Sequence, residues 1–424
     1  MPARAASVDH CNTVHASSVL PAEGCRTLVP LERLQWLDGI KGLSILWIAY
    51  FHGFETWKNN KWPRVLEAHF FSRFVHQAAP ASTACLIGVI AKAVFVAIAG
   101  VGFHAVGVFL VMSGFGLCYS LARTGGPQDG WRVWYRSRLM RLFPMYWAAH
   151  LLYLISPFEA RLERVDYRFL LSFVGDRIVP LQYIFYYLNA AWWYFGLILE
   201  LYIAFPLLFL LMRRLRAGWF LLVCAAETMI SRYLFIFVLH ASGYYTLGAF
   251  FGCRLWEFGF GMVVGTWYRQ DRDWVEARLF GAIGLLAGTT IYTAGLYSFG
   301  PPLAYMVADG LVGTGLFVIL AQVAWQSHRV RLFEQSIAYV GLYSYGLYLI
   351  HQPYMIYFAS RLRWMPMWEF ALAQVPMIIT VAMLAAMVER AINGCVATLT
   401  TVTGDAPRRT GRRGFRPPNR TAGR

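Results

Sequence analysis

Apolar residues recur along this chain in runs of about twenty, separated by short polar stretches rich in Arg. A run of that length, wound as an α-helix, crosses the roughly 30 Å hydrocarbon layer of a bilayer. Such runs lie near residues 36–57, 103–122, 139–157, 191–212, 218–239, 248–268, 279–298, 303–325, 337–359 and 367–390. The pattern predicts an all-α polytopic membrane protein, a bundle of about ten transmembrane helices. No internal repeat and no heptad is visible. A further apolar stretch, TACLIGVIAKAVFVAIAG (83–100), directly precedes the second run. If it crossed, the first run would be inverted relative to everything downstream, so it is expected to be a re-entrant or interfacial helix.

Composition sharpens this reading. The chain has 424 residues, 58% of them hydrophobic and 17% aromatic, with only 14% charged. An ordinary soluble domain carries about a quarter charged residues. The net charge of +16 raises nucleic acid as a partner, but its distribution argues against that: the basic residues lie between apolar runs and in the tail GDAPRRTGRRGFRPPNRTAGR, with seven Arg against one Asp. Short connections after even-numbered runs are Arg-rich (213–216, then Arg329 and Arg331), whereas 240–247 and 298–302 hold no Lys or Arg. The positive-inside rule makes the Arg-rich side, and both termini, cytoplasmic. Residues 1–33 form a polar leader expected to be disordered, without the apolar core of a signal peptide. Residues 34–392 form the membrane domain. Residues 393–424 form a basic tail, expected to be disordered and suited to an anionic leaflet or of no consequence. Of the seven Cys, five (Cys85, Cys118, Cys224, Cys253, Cys395) sit in or beside apolar runs and are read as small hydrophobes; no metal-ligand spacing is present. The preponderance of Arg over Lys suggests the coding bias of a GC-rich bacterium.

Several apolar runs contain titratable groups, which are costly in hydrocarbon and mark function or a partnered structural role. The first run, LDGIKGLSILWIAYFHGFETW, holds Asp38, Lys41 and His52. Eleven residues separate Lys41 from His52, within roughly 20° of three full helical turns, so the two share one face about 16 Å apart. Asp38 precedes Lys41 by three and can pair with it on that face. In RVWYRSRLMRLFPMYW, Arg138 and Arg141 share a face at the entry to the third run. Guanidinium groups so placed suit a polyphosphate, although a positive-inside anchor, the better reading for Arg132 and Arg136, has the same appearance. Glu200 lies in the apolar fourth run, where it can equally be a brace or an active group. Arg254 and Glu257 are spaced as an i, i+3 ion pair and read as structural. In SYGLYLIHQPYMIY, Ser344 and Tyr348 share a face, and His351 stands beside a Gln-Pro break that it is expected to cap.

Taken in order, these stretches resemble the integral-membrane acyltransferase-3 family, which O-acylates cell-surface carbohydrates and some other acceptors. The family's L-D-G-[RK]-G span, with a basic residue eleven positions before a histidine, is matched by Lys41 and His52. FLVMSGF (109–115) is similar to its F-F-V-L-S-G-F span and contains Ser113. Arg138, Arg141, Pro144 and Tyr146 match R-x-x-R leading into P-x-Y, and WYFGLILELYIAFP, RLWEFGFGM and SYGLYLIH match three further motifs. The resemblance covers roughly residues 34 to 390. Gly107 departs from it, standing where many members carry an acid, and the connection between the first two spans is longer than is common. No esterase-like domain is expected after the last span.

The resemblance implies an acyl-CoA cosubstrate, no bound cofactor, and a glycan or lipid-linked glycan acceptor, with membrane lipids around the chain and no nucleic-acid partner. In this scheme Lys41, Arg138 and Arg141 hold the donor head, and His52 acts as general base or forms an acyl-histidine, with Lys41 and Asp38 on the same face. Ser344, Tyr348, Glu200, Tyr146 and Ser113 are possible oxyanion or acceptor contacts. Acetyl is the expected acyl group, by family frequency, and the expected location is a bacterial inner membrane. Acceptor specificity is expected in the 58–100 and 158–190 connections. The competing class is a proton-coupled transporter or a flippase, which would use the same intramembrane charges. The absence of an internal repeat argues against the permease.

Overall fold

A computed structural model describes residues 34–67, 69–78, 83–122, 124–155, 167–175, 188–241 and 250–402. The leader, the basic end from residue 403, and most of the 158–190 connection lie outside the described residues. Every regular element among the described residues is helical. In chain order these are α1 (Gln35–Lys58), α2 (Phe70–Ala78), α3 (Thr83–Gly100), α4 (Ala105–Leu121), α5 (Gly130–Leu154), α6 (Tyr167–Phe173), α7 (Trp193–Arg214) and α8 (Ala217–Tyr233). They continue as α9 (Leu255–Gln270), α10 (Arg272–Leu279), α11 (Ala282–Ser298), α12 (Tyr305–Gln326), α13 (Arg331–Leu342), α14 (Ser344–Arg361) and α15 (Met367–Val402).

Each of the ten apolar runs is mainly helical over its described residues, and the chain is a polytopic helical membrane protein. By length and apolarity together, five helical segments qualify as spans, or six if α10 and α11, bent by 62°, are taken as one. The other expected spans fall short of that measure, so the count of ten is not reached on it. The segment 83–100 is a helix joined to α4 through one 3₁₀ turn, and Cys85–Leu121 together make 37 residues. At 1.5 Å per residue a straight helix of that length measures about 55 Å, well beyond one hydrocarbon thickness. Ile87, Ile90, Val94 and Ile98 form an exposed apolar stripe on α3, the kind of face that lipid covers.

Several helix pairs are packed backbone to backbone. A Cβ on Gly114 would lie 2.1 Å from the Phe258 carbonyl oxygen, and one on Gly261 would lie 1.9 Å from that of Val111. Side-chain-free positions are what allow α4 and α9 to approach so closely, the usual device where lipid supplies no hydrophobic drive. The same holds between α1 and α13, where a Cβ on Gly42 would meet the Ile337 carbonyl at 2.0 Å. At one end of α1, Trp36 packs among Phe115, Tyr268, Phe280 and Phe317 and donates its Nε1–H to Tyr268.

The interruption in the ninth run falls elsewhere than the Gln-Pro step. Helix α14 continues unbroken through Pro353, and the chain breaks instead at Tyr343, between α13 and α14. The last helix continues to Val402, ten residues past the expected end of the membrane domain, because ATLTTV keeps the chain apolar enough to wind on.

Candidate active site

Helix α1 carries the polar stripe. Lys41 Nζ is 3.2 Å from Asp38 Oδ1, and eleven residues on, about 16 Å along the uninterrupted helix, stands His52. His52 keeps part of its surface open, whereas the neighbouring His351 of α14 is fully buried. Their ring centroids are 5.3 Å apart.

Pro353 explains how α14 is fixed beside His52. Having no N–H, a proline leaves the carbonyl four residues earlier without its helical donor. Here that carbonyl belongs to Leu349, and it accepts from Asn189 Nδ2 at 3.1 Å and from Trp192 Nε1 at 2.9 Å. The segment leading into α7 is thereby stitched to α14 one turn from His351. The Ala191 N–H then donates to Gln352 Oε1 at 2.6 Å. With its oxygen so engaged, Gln352 must turn its amide nitrogen to His52, and Nε2 is 3.5 Å from His52 Nδ1.

These bonds determine the tautomers. Facing an N–H donor, His52 Nδ1 carries the lone pair in the neutral ring and Nε2 carries the proton. His351 is the reverse: its Nδ1 lies 3.0 and 2.9 Å from the Leu347 and Tyr348 carbonyls and must donate, leaving Nε2 as an acceptor with no partner among the described residues. Gln374 of α15 completes the cluster. It is fully buried and its amide engages the Tyr50 side chain, so the open acceptor of the cluster is His351 Nε2 among the described residues. A Cβ on Gly53 would come 2.2 Å from Gln374 Oε1, so a glycine next to His52 is what admits this amide. Buried polar atoms left open in this way are rare and indicate a ligand, a water or a reactive centre.

The remaining candidates divide by environment. Arg138 is half-buried, its guanidinium 5.5 Å from the Trp134 ring centroid and its Nε without a partner among the described residues, while Arg141 is exposed one turn on. Ser344 is buried at the start of α14, and Tyr348 packs edge-on against Tyr194. Three others are engaged in holding the bundle. Tyr146 donates to the Ser172 carbonyl at 2.7 Å and stacks on Phe195. Ser113 donates back to the Phe109 carbonyl at 2.8 Å. Glu200 accepts the Phe251 N–H at 2.8 Å, bracing the turn into α9.

Arg254 and Glu257 belong to a larger buried network. Arg254 Nη2 is 2.8 Å from Glu257 Oε1 and its Nη1 is 3.0 Å from Asp309 Oδ1, while Arg232 Nη1 is 2.6 Å from Asp309 Oδ2. Two guanidinium groups and two carboxyl groups are thus gathered in one buried network, where each charge needs a partner. Gly107 lies against this network, with Arg254 Nη2 3.4 Å and Glu257 Oε1 3.6 Å from where a Cβ would be. Arg232, Asp309, Gln352 and Gln374 were not singled out from the sequence. Asp309 is the one charged residue of its apolar run, which was the available signal, whereas Gln374 shares its run with Glu369 and Glu389 and did not stand out.

A partly open imidazole with a defined lone pair, beside a buried acceptor short of a partner, can accept a proton from a hydroxyl or attack an activated carbonyl. No curated protein and no solved structure matches the chain. The family model described as "Acyltransferase domain" (Acyl_transf_3) matches residues 34–388, which include every residue of this cluster. The chain belongs to the acyltransferase-3 family and is a membrane acyltransferase.

Proposed function

We propose that the protein moves an acyl group, acetyl in the first instance, from acyl-CoA to a hydroxyl of a cell-surface carbohydrate, with His52 as general base. The observation that carries this reading is the tautomer of His52. Its lone pair is on Nδ1, and the 3.5 Å contact with Gln352 is long enough to be surrendered to an incoming hydroxyl. The acceptor O–H replaces the amide as donor, its proton passes to Nδ1, and the oxygen attacks the thioester carbon. The C–S bond then breaks, and the CoA thiolate leaves and takes up a proton. Lys41, Arg138 and Arg141 hold the phosphate-rich head of the donor on the cytoplasmic side. The 16 Å between Lys41 and His52 is spanned by the uncharged pantetheine arm. The Arg distribution supports an orientation with both termini cytoplasmic, and the membrane we propose is a bacterial inner membrane.

The test is thiol release from acetyl-CoA by protein in nanodiscs, with and without glycan acceptors, comparing wild type with His52→Ala. Acceptor-dependent release should fall by roughly 10²–10⁴ in the variant, the range of general-base assistance. Full activity in a folded His52→Ala would sink the assignment of the base. Absence of any acetyl-CoA consumption by wild type, with substrate moving across the bilayer instead, would favour the transporter reading.

A further inference from the structure

Beyond His52, α1 runs six more residues, about 9 Å, to its end at Lys58. The chain leaves it through Asn59 and Asn60, both in the left-handed region at φ 44° and 60°. From there to the end of α2 it borders an open cavity of about 560 Å³, at the end of α1 opposite Asp38 and Lys41. Helix α2 divides its faces sharply. Phe70 and Phe74 are buried, Phe74 stacks on Trp62 at 5.0 Å, and Arg73, His76 and Gln77 line the cavity with Trp62, Arg64 and Glu67.

The lining suits a hydroxyl-rich ligand rather than an acyl chain. Asn60, His76 and Gln77 offer hydrogen-bonding groups that no described residue engages through a side chain, and Trp62 Nε1 has no partner among the described residues. The volume is that of a small-molecule site. Charge narrows the class further. Arg73 Nη1 is 2.7 Å from Glu67 Oε2, so these two offset one another, whereas Arg64 has no ion-pair or hydrogen-bond partner among the described residues. The planar fork of the Arg64 guanidinium fits a carboxylate, and the Lys61 ammonium, 5.4 Å from the Trp62 ring, adds positive charge at the rim.

We infer that this cavity binds a uronate unit of the acceptor, Arg64 taking its carboxylate, while a neighbouring sugar of the same chain presents its hydroxyl towards His52. This deepens the acceptor reading above and rests on it.

The experiment is isothermal titration of the full chain in nanodiscs with a tetrasaccharide of alternating glucuronate and N-acetylglucosamine, against maltotetraose as a neutral chain of equal length. Thiol release from acetyl-CoA is measured in parallel. The acidic chain should bind wild type about tenfold more tightly than the neutral one, the size of one charge-assisted contact. Arg64→Gln, at an exposed position, should abolish that preference and raise the acceptor KM with kcat unchanged. Equal binding of the two chains, or an Arg64→Gln variant that keeps the preference, overturns the proposal. His52-dependent thiol release that is indifferent to Arg64→Gln overturns the cavity alone. Charge-selective binding without any thiol release keeps the saccharide site and removes the acyl-transfer reading.

Discussion

His52 and His351 meet across the α1–α14 contact with ring centroids 5.3 Å apart and planes tilted by 40°, yet their tautomers are set by different partners. His351 is held by carbonyls of its own helix, and His52 by the side chain of Gln352. Gln352→Glu tests the difference. A carboxylate can still accept from the Ala191 N–H, but it would draw the proton of His52 onto Nδ1, the nitrogen that must stay bare. Turnover should fall without loss of fold, by less than the roughly 10²–10⁴ of removing the base itself. Steady-state thiol release, with circular dichroism as the folding control, checks this. Unchanged kcat would show that Gln352 does not set the tautomer.

Asp309 bridges Arg232 and Arg254, and Arg232 is fully buried. Asp309→Asn should therefore lower stability by about 3–5 kcal/mol, the cost of leaving buried charge uncompensated. Replacing the pair together, Arg232→Met with Asp309→Leu, should recover much of that loss. Thermal unfolding in detergent distinguishes the two. Equal melting temperatures for Asp309→Asn and wild type would mean that water, not Asp309, neutralises these guanidinium groups.

Gly107 faces Gly313 so closely that a Cβ would lie 2.9 Å from the Gly313 Cα. Backbone cannot yield as a side-chain tip can, so Gly107→Ala should cost about 1–3 kcal/mol by overpacking. Gly107→Asp should cost more, since it adds a third carboxyl group to this network. A stable, active Gly107→Asp would show that the network has room for the acid many relatives carry there.

Arg138 and Arg141 predict a kinetic split. Losing one charge-assisted phosphate contact should raise the acetyl-CoA KM about tenfold with kcat little changed in Arg141→Gln. Arg132→Gln, at an exposed position outside the proposed clamp, should leave both constants alone. A fall in kcat at unchanged KM for Arg141→Gln would move that residue from donor binding to the chemical step.

What could be read from the sequence was what periodicity encodes. All ten apolar runs are mainly helical over their described residues, and the Lys41–His52 spacing survives because α1 is uninterrupted. The helix break was misplaced because a proline weakens a helix locally, but Asn189 and Trp192 satisfy the freed Leu349 carbonyl from 160 and 157 residues away. No window of sequence contains that compensation. Separation along the chain, 77 residues for Arg232 and Asp309 and 300 for Gln352 and His52, hides those partnerships too, as it does the approach of Gln374 to Gly53.

The glycine contacts between α4 and α9 bear on how such an enzyme can be re-engineered. With Gly114, Gly261 and Gly265 each placing a would-be Cβ within 2.4 Å of a facing carbonyl oxygen, this pair of helices has no freedom to accept larger residues. Residues 59–77, by contrast, stand at one end of α1 and line their own cavity. A mutant library spread over 59–77 should yield folded catalysts with altered acceptor preference. One of equal size spread over 107–114 should yield mostly chains that never reach the membrane intact.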